Sequence, residues 1–174
     1  MLTVSRTMGP DEAGVVVLGG MLGLRATEMS ELAVESVRQV RGYSTLNFMG
    51  KGDVPACVPV PIPALDAVRA LVDDRASGPL LRTKSGTAMD RISVYRYVRR
   101  VAAEAGIERR VSPHALRRTA ATTALMIGVP LREAQRLMRH RRADTTLQSY
   151  DRTGDGLERH ASHQVAGFYA QFAS

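Results

Sequence analysis

Two cation-bearing spacings in this sequence are suited to work on a phosphate. His114 and Arg117 stand at i and i+3 just after Ser112-Pro113. That dipeptide starts helices well, with serine at the N-cap and proline at the first helical position. On such a helix both side chains project from one face. A guanidinium offers a planar fork of donors to two phosphate oxygens, and an imidazole beside it can donate or shuttle a proton. Arg25 precedes Glu28 by three residues. This spacing serves either an ordinary ion pair or a carboxylate that holds a second guanidinium toward the same phosphate. Lys51 lies in Gly50-Lys51-Gly52, as a plain turn lysine or as an amine able to swing onto a substrate. His140 closes the segment opened by Pro130, and Tyr150 follows ten residues later. A histidine at a helix C-terminus is favoured by the helix dipole alone, and a single tyrosine commonly serves the core.

The charge distribution agrees with an anionic partner. The 174 residues carry a net charge of +7, yet residues 82–142 alone hold fifteen basic and four acidic side chains. The flanking segments, 1–81 and 143–174, are each net −2. A block of this sign suits a polyanion, nucleic acid first, although arginine-rich solvated surface would look the same: 22 of the 24 basic residues are arginine. Cys57 is the single cysteine, which excludes an intramolecular disulfide and a cysteine zinc cluster and fits a reducing compartment. The longest apolar run, 14–24, has eleven residues, too short to cross a bilayer. Asp11 and Glu12 ahead of it argue against a signal peptide. A soluble cytoplasmic domain with no membrane segment is expected.

The elements that must position these side chains are mostly helical. Residues 1–10 read as a short leader, after which Asp11 caps a helix through Val15–Leu22. A second helix begins near Thr27. From Val37 to Pro61 the pattern changes to short strands, with a hairpin of Ser44–Met49 and Val54–Val60 about the glycine-rich 50–53 turn. Pro63 opens a helix carrying Leu65, Val68, Leu71 and Val72, and Leu80–Met89 reads as a second small ribbon. Asp90 caps a helix with Val94, Tyr97, Val98 and Val101 on one face; Ser112-Pro113 starts another to about Ile127, and Pro130 a third. A short helix near Asp144–Tyr150 and a last one at Leu157–Phe172 complete the pattern. The expected fold class is mainly α with a small antiparallel β-sheet near the front of a single domain.

Taken in order, Arg25-x-x-Glu28, Gly50-Lys51-Gly52, His114-x-x-Arg117, His140 and Tyr150 resemble the catalytic domain of tyrosine recombinases, the phage-integrase family. The resemblance covers about residues 11–170 and rests on four stretches: Gly23–Leu32, Gly50–Pro61, Ser112–His140 and Thr145–Arg152. Arg139 stands where the family commonly has glycine, and the gap from His140 to Tyr150 is ten residues rather than nine. The resemblance implies residues 11–174 as the catalytic domain, with the usual N-terminal DNA-clamping domain absent from this chain. It implies cleavage and rejoining of double-stranded DNA without metal or cofactor. Tyr150 would be the nucleophile, Arg25 and Arg117 the phosphate clamp, His140 a further donor, Lys51 the acid on the leaving oxygen and His114 an acid/base. Glu28 would hold Arg25, and Arg96, Arg99, Arg100 and Arg118 would contact DNA. Alanine at Arg25 or Arg117 would remove activity and leave the fold intact. Self-association on DNA, as a tetrameric synapse with the 157–172 helix docked in cis or in trans, follows from the same likeness. Two other classes fit these residues: a silent DNA-binding remnant, and a type IB topoisomerase-like relaxing enzyme.

Overall fold

The computed structural model describes residues 1–139; His140, Tyr150, the short helix expected near 144–150 and the one expected at 157–172 lie outside them. Among the described residues seven α-helices run in the order α1 (Leu2–Met8), α2 (Pro10–Gly20), α3 (Ala26–Ser30), α4 (Ile62–Val72), α5 (Arg91–Glu104), α6 (Pro113–Met126) and α7 (Leu131–Met138). Between α3 and α4 lie strands β1 (Val37–Val40), β2 (Tyr43–Gly50) and β3 (Val54–Pro59). They form an antiparallel sheet of order β1-β2-β3, with Leu46 opposite both Val37 and Val58. The fold is thus mostly helical with one small antiparallel sheet. Among the described residues no helix is long and apolar enough to cross a membrane.

The centre is α2, which packs against α1, α4, α5 and α6. Residues Glu12–Gly19 are all buried, which explains why this segment reads as a continuous apolar run rather than a one-faced stripe. Gly14 lets α4 come close: a Cβ there would sit 2.5 Å from Leu71 Cδ1. The helix starts at Pro10, with Gly9 before it, so Asp11 is inside the first turn and not its cap. Its Oδ1 accepts the Arg82 backbone N–H at 2.7 Å instead. The first ten residues, read as a leader, carry α1, which packs on α2 and α5 and buries Ser5 completely.

Two later helices, α5 and α6, start where their caps predict. Asp90 Oδ1 accepts the Ser93 N–H at 2.7 Å, and Ser112 Oγ accepts the Ala115 N–H at 3.2 Å. The ribbon expected over Leu80–Met89 is reduced to a single bridge between Arg82 and Ala88. Thr83, Ser85 and Thr87 bond one another through their hydroxyls there, while Leu80, Leu81 and Met89 anchor the segment in the core.

Candidate active site

The N-termini of α3 and α6 and the first turns of α5 meet around one cavity of about 210 Å³. It is lined by Arg25, Ala26, Thr27, Arg91, Tyr95, Pro113, His114 and Arg117. Arg25, His114 and Arg117, singled out by spacing alone, therefore converge. Arg91 and Tyr95 were not expected at this site. They stand at i and i+4 on α5, at the edge of the buried face formed by Val94, Val98 and Val101. Local spacing does not announce that α3 and α6 lie against this edge of α5; tertiary packing brings them there.

Arg25 is the N-cap of α3. Its own backbone N–H donates to Glu28 Oε2 at 2.8 Å, and its guanidinium donates to Glu28 Oε1 at 2.5 Å. Glu28 is 2% exposed. Burial alone would raise its pKa, but the Arg25 N–H and the Arg139 charge outweigh that and hold the carboxyl below its usual value. The carboxylate is therefore ionised at neutral pH and keeps the Arg25 guanidinium at the cavity.

Arg117, 3% exposed, is held from two sides: it donates through one terminal nitrogen to the Gly23 carbonyl and through the other to the Met138 carbonyl. Burial lowers its pKa most, and the positive charges of Arg25 and Arg139 lower it further. These two bonds join α6 to the turn before α3 and to the end of α7. His114, one position into the same helix, is exposed. Partial desolvation and the charges of Arg118, Arg117 and Arg25 push its pKa down, so the neutral imidazole, able to accept a proton, prevails at pH 7.

Arg139 is the other residue whose role was not legible. Its NH2 group donates to Glu28 Oε2 at 2.7 Å and to the Gly23 carbonyl at 3.0 Å. Gly23 thus accepts from two arginines, and its φ of +63° is a left-handed conformation suited to glycine. A Cβ there would meet Met138 Sδ at 3.2 Å. Gly23→Ala is expected to lower stability by about 1–2 kcal/mol, measured by urea denaturation.

Lys51 is exposed in the turn between β2 and β3, outside the cavity lining. Gly52 and Asp53, with φ of +80° and +55°, shape that turn. Arg96 and Arg99 are exposed on α5 and Arg118 is half-buried. Arg100, also expected on DNA, pairs with buried Glu12 and lies 4.3 Å over the Tyr97 ring, its side chain 37% exposed.

Over residues 14–155 the sequence matches the phage integrase family. Tyrosine recombinase XerC of Pelobacter propionicus is 35% identical over 128 residues, covering 71% of this chain and 42% of that protein. Tyrosine recombinase XerD of Pseudomonas putida is 32% identical over 155 residues, covering 83% of this chain and 51% of that protein. The chain thus spans about half the length of these curated relatives. The crystal structure of XerA recombinase matches with a TM-score of 0.73 at 22% identity, over 98% of this chain and 59% of that one. XerH site-specific recombinase, bound to its difH substrate in a pre-cleavage complex, matches with a TM-score of 0.69 at 22% identity, over 88% of this chain and 46% of that one. At such identities the structural likeness shows the fold.

Proposed function

Because this chain belongs to the phage integrase family, as a tyrosine recombinase catalytic domain, we propose that it cuts and rejoins double-stranded DNA at specific sites through a covalent 3′-phosphotyrosyl intermediate. The observation that carries the reading is the convergence of Arg25, His114 and Arg117 on one cavity, with Glu28 behind Arg25.

In this mechanism the Tyr150 hydroxyl attacks the scissile phosphorus and passes its proton to His114, whose lowered pKa leaves it neutral and ready to accept it. The bond from phosphorus to the 5′-oxygen breaks, and Lys51 gives that oxygen a proton. Attack by the 5′-hydroxyl of a partner strand reverses the step and releases the tyrosine. Arg25 and Arg117 stabilise the non-bridging oxygens as negative charge builds, and His140 adds a hydrogen bond. Two fixed guanidiniums supply the charge stabilisation, so the mechanism calls for no metal and no cofactor. Exchange between two duplexes requires several copies of the chain on DNA, in keeping with a tetrameric synapse.

The test is covalent capture. The full chain is mixed with a randomised pool of centrally nicked duplexes and resolved under denaturing conditions. An adduct in the wild type, absent in Tyr150→Phe, supports the reading. DNA binding with no adduct identifies a silent binder; relaxation of a supercoiled circle with no exchange between duplexes identifies a topoisomerase-like enzyme.

DNA affinity is expected to fall steeply with salt, since phosphate contacts release counterions. Arg96→Ala with Arg99→Ala should flatten the slope of log affinity against log salt by about 1–2. Arg100→Ala should leave the slope unchanged and lower the melting temperature, because its guanidinium is committed to Glu12. Filter binding across a salt series, beside thermal denaturation, checks both outcomes.

A further inference from the structure

Residue 139 ends α7 with φ +49°, in the left-handed region where helices commonly place glycine and a side chain costs on the order of 1 kcal/mol. An arginine stands there, with its side chain turned inward and 16% exposed. Its contacts lead to the cation site. Besides Glu28 Oε2 and the Gly23 carbonyl, it donates to the Leu137 carbonyl at 3.1 Å. Its guanidinium lies 5.4 Å from the centroid of the Phe48 ring on β2. Glu28 is thereby divided between two arginines: Oε1 accepts from the Arg25 side chain, and Oε2 from Arg139 and the Arg25 backbone.

We propose that Arg139 is a positioning residue for Arg25: from the end of α7 it fixes Glu28 Oε2 and the Gly23 carbonyl, and so sets the carboxylate that aims the Arg25 guanidinium into the cavity. The inference rests on reading that cavity as a phosphodiester site. Without Arg139, Oε2 loses its side-chain donor and the carboxylate can turn about its terminal torsion, which is broad. The 23–25 turn also loses one of its two ties to the end of α7. Displacing a phosphate-gripping group by about 1 Å is enough to cost on the order of a hundredfold in rate.

R139G is the direct test, because glycine suits the backbone at this position and the fold should persist. Glu28 is faced by Arg25 from the start of α3, by Arg117 from α6 and by Arg139 from the end of α7. Removing one of these cations should move the Glu28 carboxyl titration upward, read by carbon NMR on the full chain. The Arg25 Nη1–H resonance, which reports the bond to Glu28 Oε1, should shift from its wild-type position. At saturating nicked duplex, covalent attachment should slow about tenfold to a hundredfold, with DNA affinity within about twofold of the wild type. A wild-type cleavage rate in R139G overturns the proposal, whatever the titration shows. A slow variant in which Glu28 titrates and Arg25 resonates as in the wild type also overturns it, since Arg139 would then act elsewhere. If R139G fails to fold, the same comparison is read on R139Q, which keeps an N–H donor without the charge. If the wild type forms no adduct, the recombinase reading fails on its own, and the two NMR readouts, which need no DNA, decide the role of Arg139.

Discussion

Arg117→Ala is expected to abolish detectable covalent attachment to DNA and to lower folding stability, whereas Arg25→Ala should abolish attachment alone. Both residues line the cavity, and losing one preorganised donor to a developing phosphoryl charge costs about 10²–10³ in rate. Their structural settings separate them. Arg25 is partly solvated and held by Glu28, so its removal leaves α3 with its other contacts. Arg117 is buried and donates to the Gly23 and Met138 carbonyls. Alanine there takes this donor from the Met138 carbonyl and empties the space of a long side chain; Gly23 keeps Arg139. Part of that loss is offset because a buried cation, repelled by Arg25 and Arg139, is removed as well. The net cost should be about 1–3 kcal/mol. Reading both arginines as surface clamps predicts an intact fold for either alanine variant; the structure assigns that outcome to Arg25 alone. Urea denaturation beside the capture assay separates the two. Arg117→Ala with unchanged stability would contradict the tie between α6, the Gly23 turn and α7.

Local rules made much of the fold legible. Ser112-Pro113 and Asp90 announce α6 and α5 because a side-chain cap and a fixed proline φ act within a few residues. The glycine-rich turn at 50–53 marks the β2–β3 hairpin for the same reason. The helix at Leu2–Met8 has no side-chain cap, and its burial depends on α2 and α5, so nothing local announces it. Aspartate before an apolar run has the signature of a cap, but the helix starts at Pro10, two residues earlier than a cap at Asp11 implies, which frees the Asp11 carboxylate for Arg82.

The site divides along the same line. The pairs at i and i+3, Arg25 with Glu28 and His114 with Arg117, are fixed by helical geometry and could be read directly. Contacts between distant segments could not. Arg139 meets Glu28 across 111 residues, and Arg100 meets Glu12 across 88. An arginine in a basic stretch carries no mark that distinguishes a DNA contact from an inward ion pair. Burial supplies that mark: Glu12 and Glu28 are among the few charged side chains sealed in the described core, and a sealed carboxylate selects a guanidinium partner wherever the fold brings one.

Glu28 is accordingly the residue whose replacement should do most harm to the site as a whole. Glu28→Ala removes the acceptor for the Arg25 backbone, the Arg25 side chain and Arg139 together. Arg25, Arg117 and Arg139 are then left without that counter-charge. Breaking a buried pair from one side costs about 3–5 kcal/mol, and covalent attachment should fall with it as Arg25 loses its hold. Glu28→Gln should cost less, because it keeps the volume and an acceptor and removes the charge alone. The charge-dependent part has a definite sign. Burial opposes ionisation of Glu28, yet the Arg25 N–H and the Arg139 charge bring its pKa below the ordinary value of 4.5. A carboxyl depressed on folding contributes stability that is fully present above its unfolded pKa and is lost as pH falls through the folded value. The stability gap between wild type and Glu28→Gln should therefore be greatest near neutral pH and narrow below about pH 4.5, where the wild-type carboxyl also becomes neutral. Paired urea titrations at pH 7 and in mild acid measure that gap. A gap that stays constant would show that the charge of Glu28 adds nothing to the fold, and a gap that widens in acid would reverse the sign assigned to its ion pairs.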